Sequence, residues 1–349
     1  MTQDLLLSRE GAWGIVTLNR PQALNALTAA MCADLDAQLR LWAGDDDVKA
    51  VLIEGAGERS FCAGGDIRWL ANTAKEDAVE AATFFRTEYK LNSLIAGYSK
   101  PYIALIDGIC MGGGVGVSCM ADRRIVSDRT MWAMPECGIG LVPDVGASYA
   151  LNQLEVGLGP WLGLTGARLR GGDCVAAGVG TNLVADEAVD QLRSGLLGAD
   201  LSSDALGAID AVIGSFEKPV ESDLSGQRAD IDACFGEVED LASLTTVLEG
   251  AGEFGATCLK HMAPGSPTSQ MLTIRLLSGA PESFDACISR EFCVAAHLLE
   301  GPDFLEGVRA QIIDKDRDPK WQPAQAADVD PARIDWYFTT PEGGPLALD

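Results

Sequence analysis

The stretch Tyr102-Ile103-Ala104-Leu105-Ile106-Asp107-Gly108-Ile109-Cys110-Met111-Gly112-Gly113-Gly114 decides how this chain folds. Its first five residues suit a buried strand. They feed a glycine triplet that opens a predicted helix over 112–121. Glycines at a helix N-terminus leave backbone N–H groups bare, where they can face a developing negative charge. Downstream runs Met134-Pro135-Glu136-Cys137-Gly138-Ile139-Gly140-Leu141-Val142-Pro143-Asp144-Val145-Gly146. Glu136 and Asp144 follow Gly113 by 23 and 31 residues. The prolines and glycines around them place both carboxylates on turns. An anion-binding turn facing turn-borne carboxylates is equipment for acyl chemistry, so the chain reads as an enzyme.

Outward from this stretch, segments 13–18 and 48–54 are predicted strands, with Arg20-Pro21 closing the first. Thr28 is placed to cap a helix ending near Trp42, with Met31, Leu35, Leu39 and Trp42 at helical spacing. A glycine-rich loop over 55–66 precedes a predicted helix over 76–97. Short strands are predicted at 124–127 and 130–134, and mostly helix over 148–165. The rhythm is ββα. No G-x-G-x-x-G opens a helix after the first strand, which gives dinucleotide binding little support.

Beyond about residue 200 the strand pattern fades, and helices are predicted over 206–216, 223–235, 238–248, 254–262, 269–277, 281–300 and 303–312. The proline-bearing tail from Asp316 reads as irregular. The expected organisation is an α/β core with the active site over residues 1–200 and a helical C-terminal region over 201–349.

The 349 residues carry a net charge of −25, from 26 basic and 51 acidic side chains. That balance argues against nucleic acid and against an anionic membrane surface. No apolar run is long enough for a membrane span. The first residues lack the basic region of a signal peptide, so a cytoplasmic location is expected. Ten cysteines without C-x-x-C spacing read as buried free thiols of a reducing compartment. His261 and His297, read as surface or helix residues, are too few for a histidine metal site, and no metal or cofactor is expected.

Four segments line up in order and spacing: Ser60-Phe61-Cys62-Ala63-Gly64-Gly65-Asp66-Ile67, Met111–Gly114, Met134–Gly140 and Pro143–Gly146. Over roughly residues 12–200 they resemble the crotonase (enoyl-CoA hydratase/isomerase) superfamily. That resemblance implies an α/β fold with a crotonase-like ββα spiral core. It also implies that the N–H groups of Gly65 and Gly113 form an oxyanion hole for a thioester carbonyl, each donor contributing on the order of 3 kcal/mol. CoA would then lie near Ala63, Gly64, Asp66 and Ile67, with Arg20 and Arg68 as candidates for its phosphates. The superfamily's hydratases carry glutamates three and twenty-three residues after the middle glycine. Here those positions are Gly116 and Glu136, so the hydratase pair is incomplete.

Glu88 within Phe84–Asn92, Thr165-Gly166 with Arg168-Leu169, and the late run from Glu306-Gly307-Val308-Arg309 to Lys320-Trp321 look like the 3-hydroxyisobutyryl-CoA hydrolase branch. In that branch the positions matching Glu88, Gly113, Glu136 and Asp144 line the substrate site. Taken alone, Glu88 suits a solvated helix face and Asp144 suits a turn brace. Glu136, in an otherwise uncharged stretch, calls for a partner or a task, and burial would raise its pKa.

The resemblance implies hydrolysis of a short branched 3-hydroxyacyl-CoA, as in valine catabolism, with acyl-CoA as the substrate partner. Glu136 would attack the thioester carbon or act as base on water; the residues leave both open, and Asp144 would orient the 3-hydroxyl or the water. An enoyl-CoA isomerase or hydratase, or a silent crotonase-fold subunit, are the alternatives. Relatives of the fold form trimers, whereas a helical C-terminal region also suits a monomer.

Overall fold

The hairpin that starts the chain supplies an edge the sequence did not advertise. In the computed structural model, which describes residues 3–279 and 283–348, β1 (Leu5–Glu10) turns at Gly11 (φ 57°) and pairs antiparallel with β2 (Trp13–Leu18). Only Leu5 of β1 is buried, so the strand lacks the alternation that would mark it. The chain continues through α1 (Ala29–Ala43), β3 (Ala50–Gly55), β4 (Ser60–Cys62), α2 (Ile67–Ala74), α3 (Ala78–Ala96), β5 (Tyr102–Ile106), β6 (Ile109–Met111) and α4 (Gly113–Gly116). Next come β7 (Arg123–Ser127), β8 (Met131–Ala133), α5 (Ala147–Ala150), α6 (Leu158–Thr165), β9 (Leu169–Arg170), α7 (Gly172–Ala176), β10 (Asn182–Val184), α8 (Val189–Leu197) and α9 (Ala205–Gly214). The remainder is helical: α10 (Arg228–Phe235), α11 (Leu241–Gly250), α12 (Gly252–Met262), α13 (Pro267–Leu277), α14 (Phe284–Glu300), α15 (Pro302–Val308) and α16 (Pro331–Trp336).

Thr28 caps α1 as expected, its hydroxyl accepting from the Met31 N–H at 3.2 Å. The helix expected over 76–97 is α3, and a further helix, α2, precedes it, with Asp66 as its cap accepting from the Trp69 N–H. The helix expected over 112–121 shrinks to four residues. Four glycines in its first five positions give it the poorest propensity available apart from proline. The helix expected over 281–300 is present from Phe284; Pro281 and Glu282 lie outside the described residues.

The chain divides into two compact units, each assembled from separated stretches. The first comprises the chain up to Gly65, Leu91–Trp132 and Leu169–Leu224. It holds a six-stranded sheet of order β1-β2-β3-β5-β7-β10, parallel from β2 onward. Parallel strands covered on a face read as continuous apolar runs, as β5 does. Ile15, Leu52, Ile103, Leu105 and Ile125 form its core with Leu192 and Leu196 of α8 and Ile209 of α9. Each such side chain contributes about 1.5–3 kcal/mol on burial. The unit also holds a four-stranded sheet of order β4-β6-β8-β9, of which β4 and β6 run parallel.

The second unit comprises Asp66–Lys90, Ala133–Arg168 and the chain from Ser225 onward. Here α15 abuts the turn 136–140 backbone to backbone. A Cβ on Gly307 would stand 2.4 Å from the Ile139 carbonyl carbon, and one on Gly140 2.4 Å from the Asp303 oxygen. Buried Asp303 fixes this arrangement by accepting from Ser266 Oγ at 2.5 Å and from the Gln322 N–H at 2.8 Å.

Candidate active site

In the first unit, Gly65 lies three residues beyond the end of β4 and Gly113 two beyond the end of β6. Because β4 and β6 are parallel neighbours, with Ser60 opposite Ile109 and Cys62 opposite Cys110, both glycine turns leave the same edge of the sheet. Ligands of open α/β sheets gather at such carboxyl ends. Gly64 (φ 118°) and Gly112 (φ 50°, ψ −122°) adopt conformations that side chains disfavour. The turns also touch: a Cβ on Gly114 would stand 2.2 Å from the Cys62 oxygen, and one on Gly64 3.9 Å from the Gly113 nitrogen. The parallel pairing of β4 with β6 is what brings the two glycine turns together.

The second unit collects carboxylates. Glu136 opens the 3-10 turn Glu136–Ile139, and the Leu141 N–H closes the turn on the Glu136 carbonyl at 3.1 Å. Asp144 precedes Val145, whose φ of 56° is rare for a β-branched residue. Glu88 projects from α3. All three are buried, so the solvated position that suits Glu88 by sequence is replaced by an interior one.

Their hydrogen bonding separates them. Asp144 Oδ2 accepts from the Tyr89 hydroxyl. Glu88 Oε1 and Glu136 Oε2 are buried with no hydrogen-bond partner. Burial raises the Asp144 pKa while the Tyr89 bond lowers it, leaving it at about 6. Burial, then the charge of Asp144, pushes Glu88 and Glu136 well above the usual carboxylate range. Of the three, Asp144 is the one whose charged form a side-chain donor favours.

Two residues that sequence reasoning missed complete the cluster. Tyr89 lies next to Glu88 and carries no distinguishing pattern. Glu291 on α14 is fully buried and accepts from the Gly146 N–H at 2.6 Å, the Ser148 N–H at 2.7 Å and Ser148 Oγ at 2.5 Å. Burial pushes its carboxyl up to about 8 against those three donors. Its signal was legible: a lone glutamate at helical spacing among buried Phe284, Ile288, Ala295 and Leu298.

The residues expected near CoA are unequal. Arg20 bonds the Ala26 carbonyl at 2.7 Å and lies 3.6 Å from Asp4, and Asp66 is spent on the α2 cap. Ala63 donates its N–H to the Leu24 carbonyl, Gly64 accepts from Leu27, and Ile67 opens α2. Arg68 is exposed and reaches the Ile312 carbonyl at 2.9 Å. A cavity of about 370 Å³ elsewhere in the second unit, lined by Leu151, Gly157, Phe235 and Ile274, contains none of the four carboxylates. Chemistry outweighs volume here, since none of the four buried carboxylates lines it. His261 is exposed, and His297 is buried on α14 with Nδ1 2.8 Å from the Cys293 carbonyl. All ten cysteines are free, eight of them buried. Among the described residues no cluster of three or more His, Cys, Asp or Glu could hold a metal ion, and no helix is long and apolar enough to cross a membrane.

A family model described as enoyl-CoA hydratase/isomerase matches residues 13–338. The chain belongs to the enoyl-CoA hydratase/isomerase family. Among members of the family, the mitochondrial 3-hydroxyisobutyryl-CoA hydrolase of Danio rerio is 40% identical over 354 residues, covering 99% of this chain and 92% of the relative. The mitochondrial enzyme of the same name from Rattus norvegicus is 40% identical over 344 residues, covering 97% and 89%. The crystal structure of a carnitinyl-CoA dehydratase from Mycobacterium thermoresistibile matches with a TM-score of 0.92 and 36% identity, covering 100% of this chain and 99% of that one. The α/β crotonase fold with its helical C-terminal region is therefore that of the family. These comparisons correct the expected cytoplasmic location, because both hydrolase relatives are mitochondrial proteins by name. Free buried thiols indicate a reducing compartment without distinguishing one from another.

Proposed function

We propose that this chain hydrolyses 3-hydroxyisobutyryl-CoA to 3-hydroxyisobutyrate and free CoA, a step of valine degradation. The observation that carries the mechanism is the contrast between Asp144, which has a hydrogen-bond donor, and Glu136, whose Oε2 has none. The Tyr89 hydroxyl favours the charged form of Asp144, whereas burial holds Glu136 towards its neutral form.

Asp144 is the base and Glu136 the acid. Asp144 removes a proton from water as the water oxygen bonds to the thioester carbon. The carbonyl electron pair moves onto its oxygen, which the N–H groups of Gly65 and Gly113 stabilise. Collapse of that oxyanion re-forms the carbonyl and breaks the C–S bond, while Glu136 passes its proton to the departing sulfur. The proton gained by Asp144 then replaces the one lost by Glu136, so thioester plus water gives acid plus thiol. Glu88, also protonated, bonds the substrate's 3-hydroxyl. A site built to bond a hydroxyl strongly rejects substrates without one. Ala63, Gly64, Asp66, Ile67 and Arg68 are assigned to CoA, with Arg20 steadying the neighbouring loop. The names of the relatives point to mitochondria as the setting.

Thiol release across a panel of acyl-CoAs tests this function. The expected result is rapid release from 3-hydroxyisobutyryl-CoA and slow release from isobutyryl-CoA. Equal rates on both would remove the role given to Glu88 and the hydroxyl specificity with it.

A further inference from the structure

Asp144 sits at the start of a backbone segment that does not hold its own shape. Val145 is in the left-handed region at φ 56° and Gly146 follows at φ 89°. A β-branched residue there is strained and persists only when its surroundings over-determine it. The short helix α5 that follows has no side-chain cap from its own N-cap residue, Gly146. Its first N–H groups therefore need an acceptor from elsewhere.

That acceptor is Glu291, distant in sequence on α14. Its two carboxyl oxygens divide the work, Oε2 taking the Gly146 N–H and Oε1 taking both the N–H and the hydroxyl of Ser148. The grip begins two residues beyond Asp144. The next residue on α14, Phe292, packs edge-on against Tyr89, with ring centroids 6.2 Å apart at 83°. Tyr89 in turn donates to Asp144. Phe284, at the start of α14, closes the remaining space, since a Cβ on Gly146 would stand 2.3 Å from its ring. One helix thus fixes the backbone after Asp144 and also the ring that bonds its carboxylate.

We propose that Glu291 is a positioning residue for hydrolysis, holding the Asp144 carboxylate in its working pose by clamping the backbone of Gly146 and Ser148. The inference rests on Asp144 being the catalytic base. A buried polar bridge of this kind is an expensive way to stabilise a fold, because well-packed apolar residues do so at less cost. Its fully bonded geometry instead specifies one conformation of a strained turn.

A double-mutant cycle tests the clamp. Glu291→Gln keeps the volume but turns an amide NH₂ towards backbone donors. It is expected to lower kcat for thiol release at least tenfold with KM changed less than threefold. In an Asp144→Asn background the same change should alter kcat less than twofold, because the pose it protects no longer matters. If Glu291→Gln lowers kcat equally in both backgrounds, or leaves kcat unchanged, the clamp is not acting through Asp144 and the proposal is overturned. Activity retained by Asp144→Asn alone would instead overturn the parent assignment, a separately visible result. Should Glu291→Gln fail to fold, the cycle is read with Glu291→Asp, which keeps both acceptor oxygens on a shorter stem and is expected to show the same coupling.

Discussion

Tyr89 donates its hydroxyl hydrogen to Oδ2 of Asp144, joining a residue of α3 to the turn 55 positions later. The bond stabilises the charged form of Asp144 against burial. Removing it with Tyr89→Phe raises the Asp144 pKa above about 6. The acid limb of the kcat/KM profile should therefore move to higher pH, with activity near pH 6 falling more than activity near pH 7.5. A limb that stays in place would assign the titration to another group.

Glu136→Gln should fold and lose on the order of 10²–10⁴ in kcat, the usual share of a positioned acid or base. Because Glu136 Oε2 has no partner, an amide there breaks no hydrogen bond made by that oxygen. Circular dichroism and thermal melting should match the parent while thiol release collapses. Near-normal turnover would remove Glu136 from the chemistry.

Stability should decline with rising pH. Glu88, Glu136 and Glu291 all have folded-state pKa values raised above the ordinary 4.5, so the native state binds more protons than the unfolded chain. Their contribution is full below the unfolded value and is lost as pH climbs from there, through about 8 for Glu291. Melting temperature should drop from pH 5.5 to pH 8.5, and Glu88→Gln should flatten the drop. A stability that rises over this interval would contradict the burial of these three carboxyls.

Crotonyl-CoA should persist in the presence of the enzyme. Hydration across a double bond divides its proton transfers between two groups, and the position three residues after Gly113 is the buried Gly116. Loss of the conjugated thioester absorbance without thiol release would turn the chain back into a hydratase.

Gly114→Ala should cost at least 1–3 kcal/mol and lower kcat together, since its Cβ would meet the Cys62 carbonyl oxygen at 2.2 Å. The clash wedges apart the two turns that carry Gly65 and Gly113. A variant with unchanged melting and unchanged turnover would show that those turns need not touch.

Much of this was legible along the chain, and the exceptions have physical causes. Trp13–Leu18 and Tyr102–Ile106 declared themselves because buried parallel strands are continuous apolar runs. The glycine turns and the Pro135–Gly146 stretch declared themselves through residues that few other contexts tolerate. β4 and β6, three residues each, fall below the length at which periodicity speaks. The burial of Glu88 was hidden because Arg86 and Lys90 give its helix a solvated look. Tyr89 was silent since a tyrosine on an amphipathic helix has many uses, and only tertiary contact shows which one applies here.

Gly307 lies against the backbone of Ile139 across 168 residues of sequence. A growing polypeptide emerges from the ribosome in order, so Glu136 is exposed to solvent long before the segment that completes its turn has been made. The turn that carries Glu136 is therefore expected to lack its backbone support until α15 has been made. Nascent chains released before Pro302 should be hydrolytically dead even where their earlier strands have already paired, an outcome a truncation series reads directly.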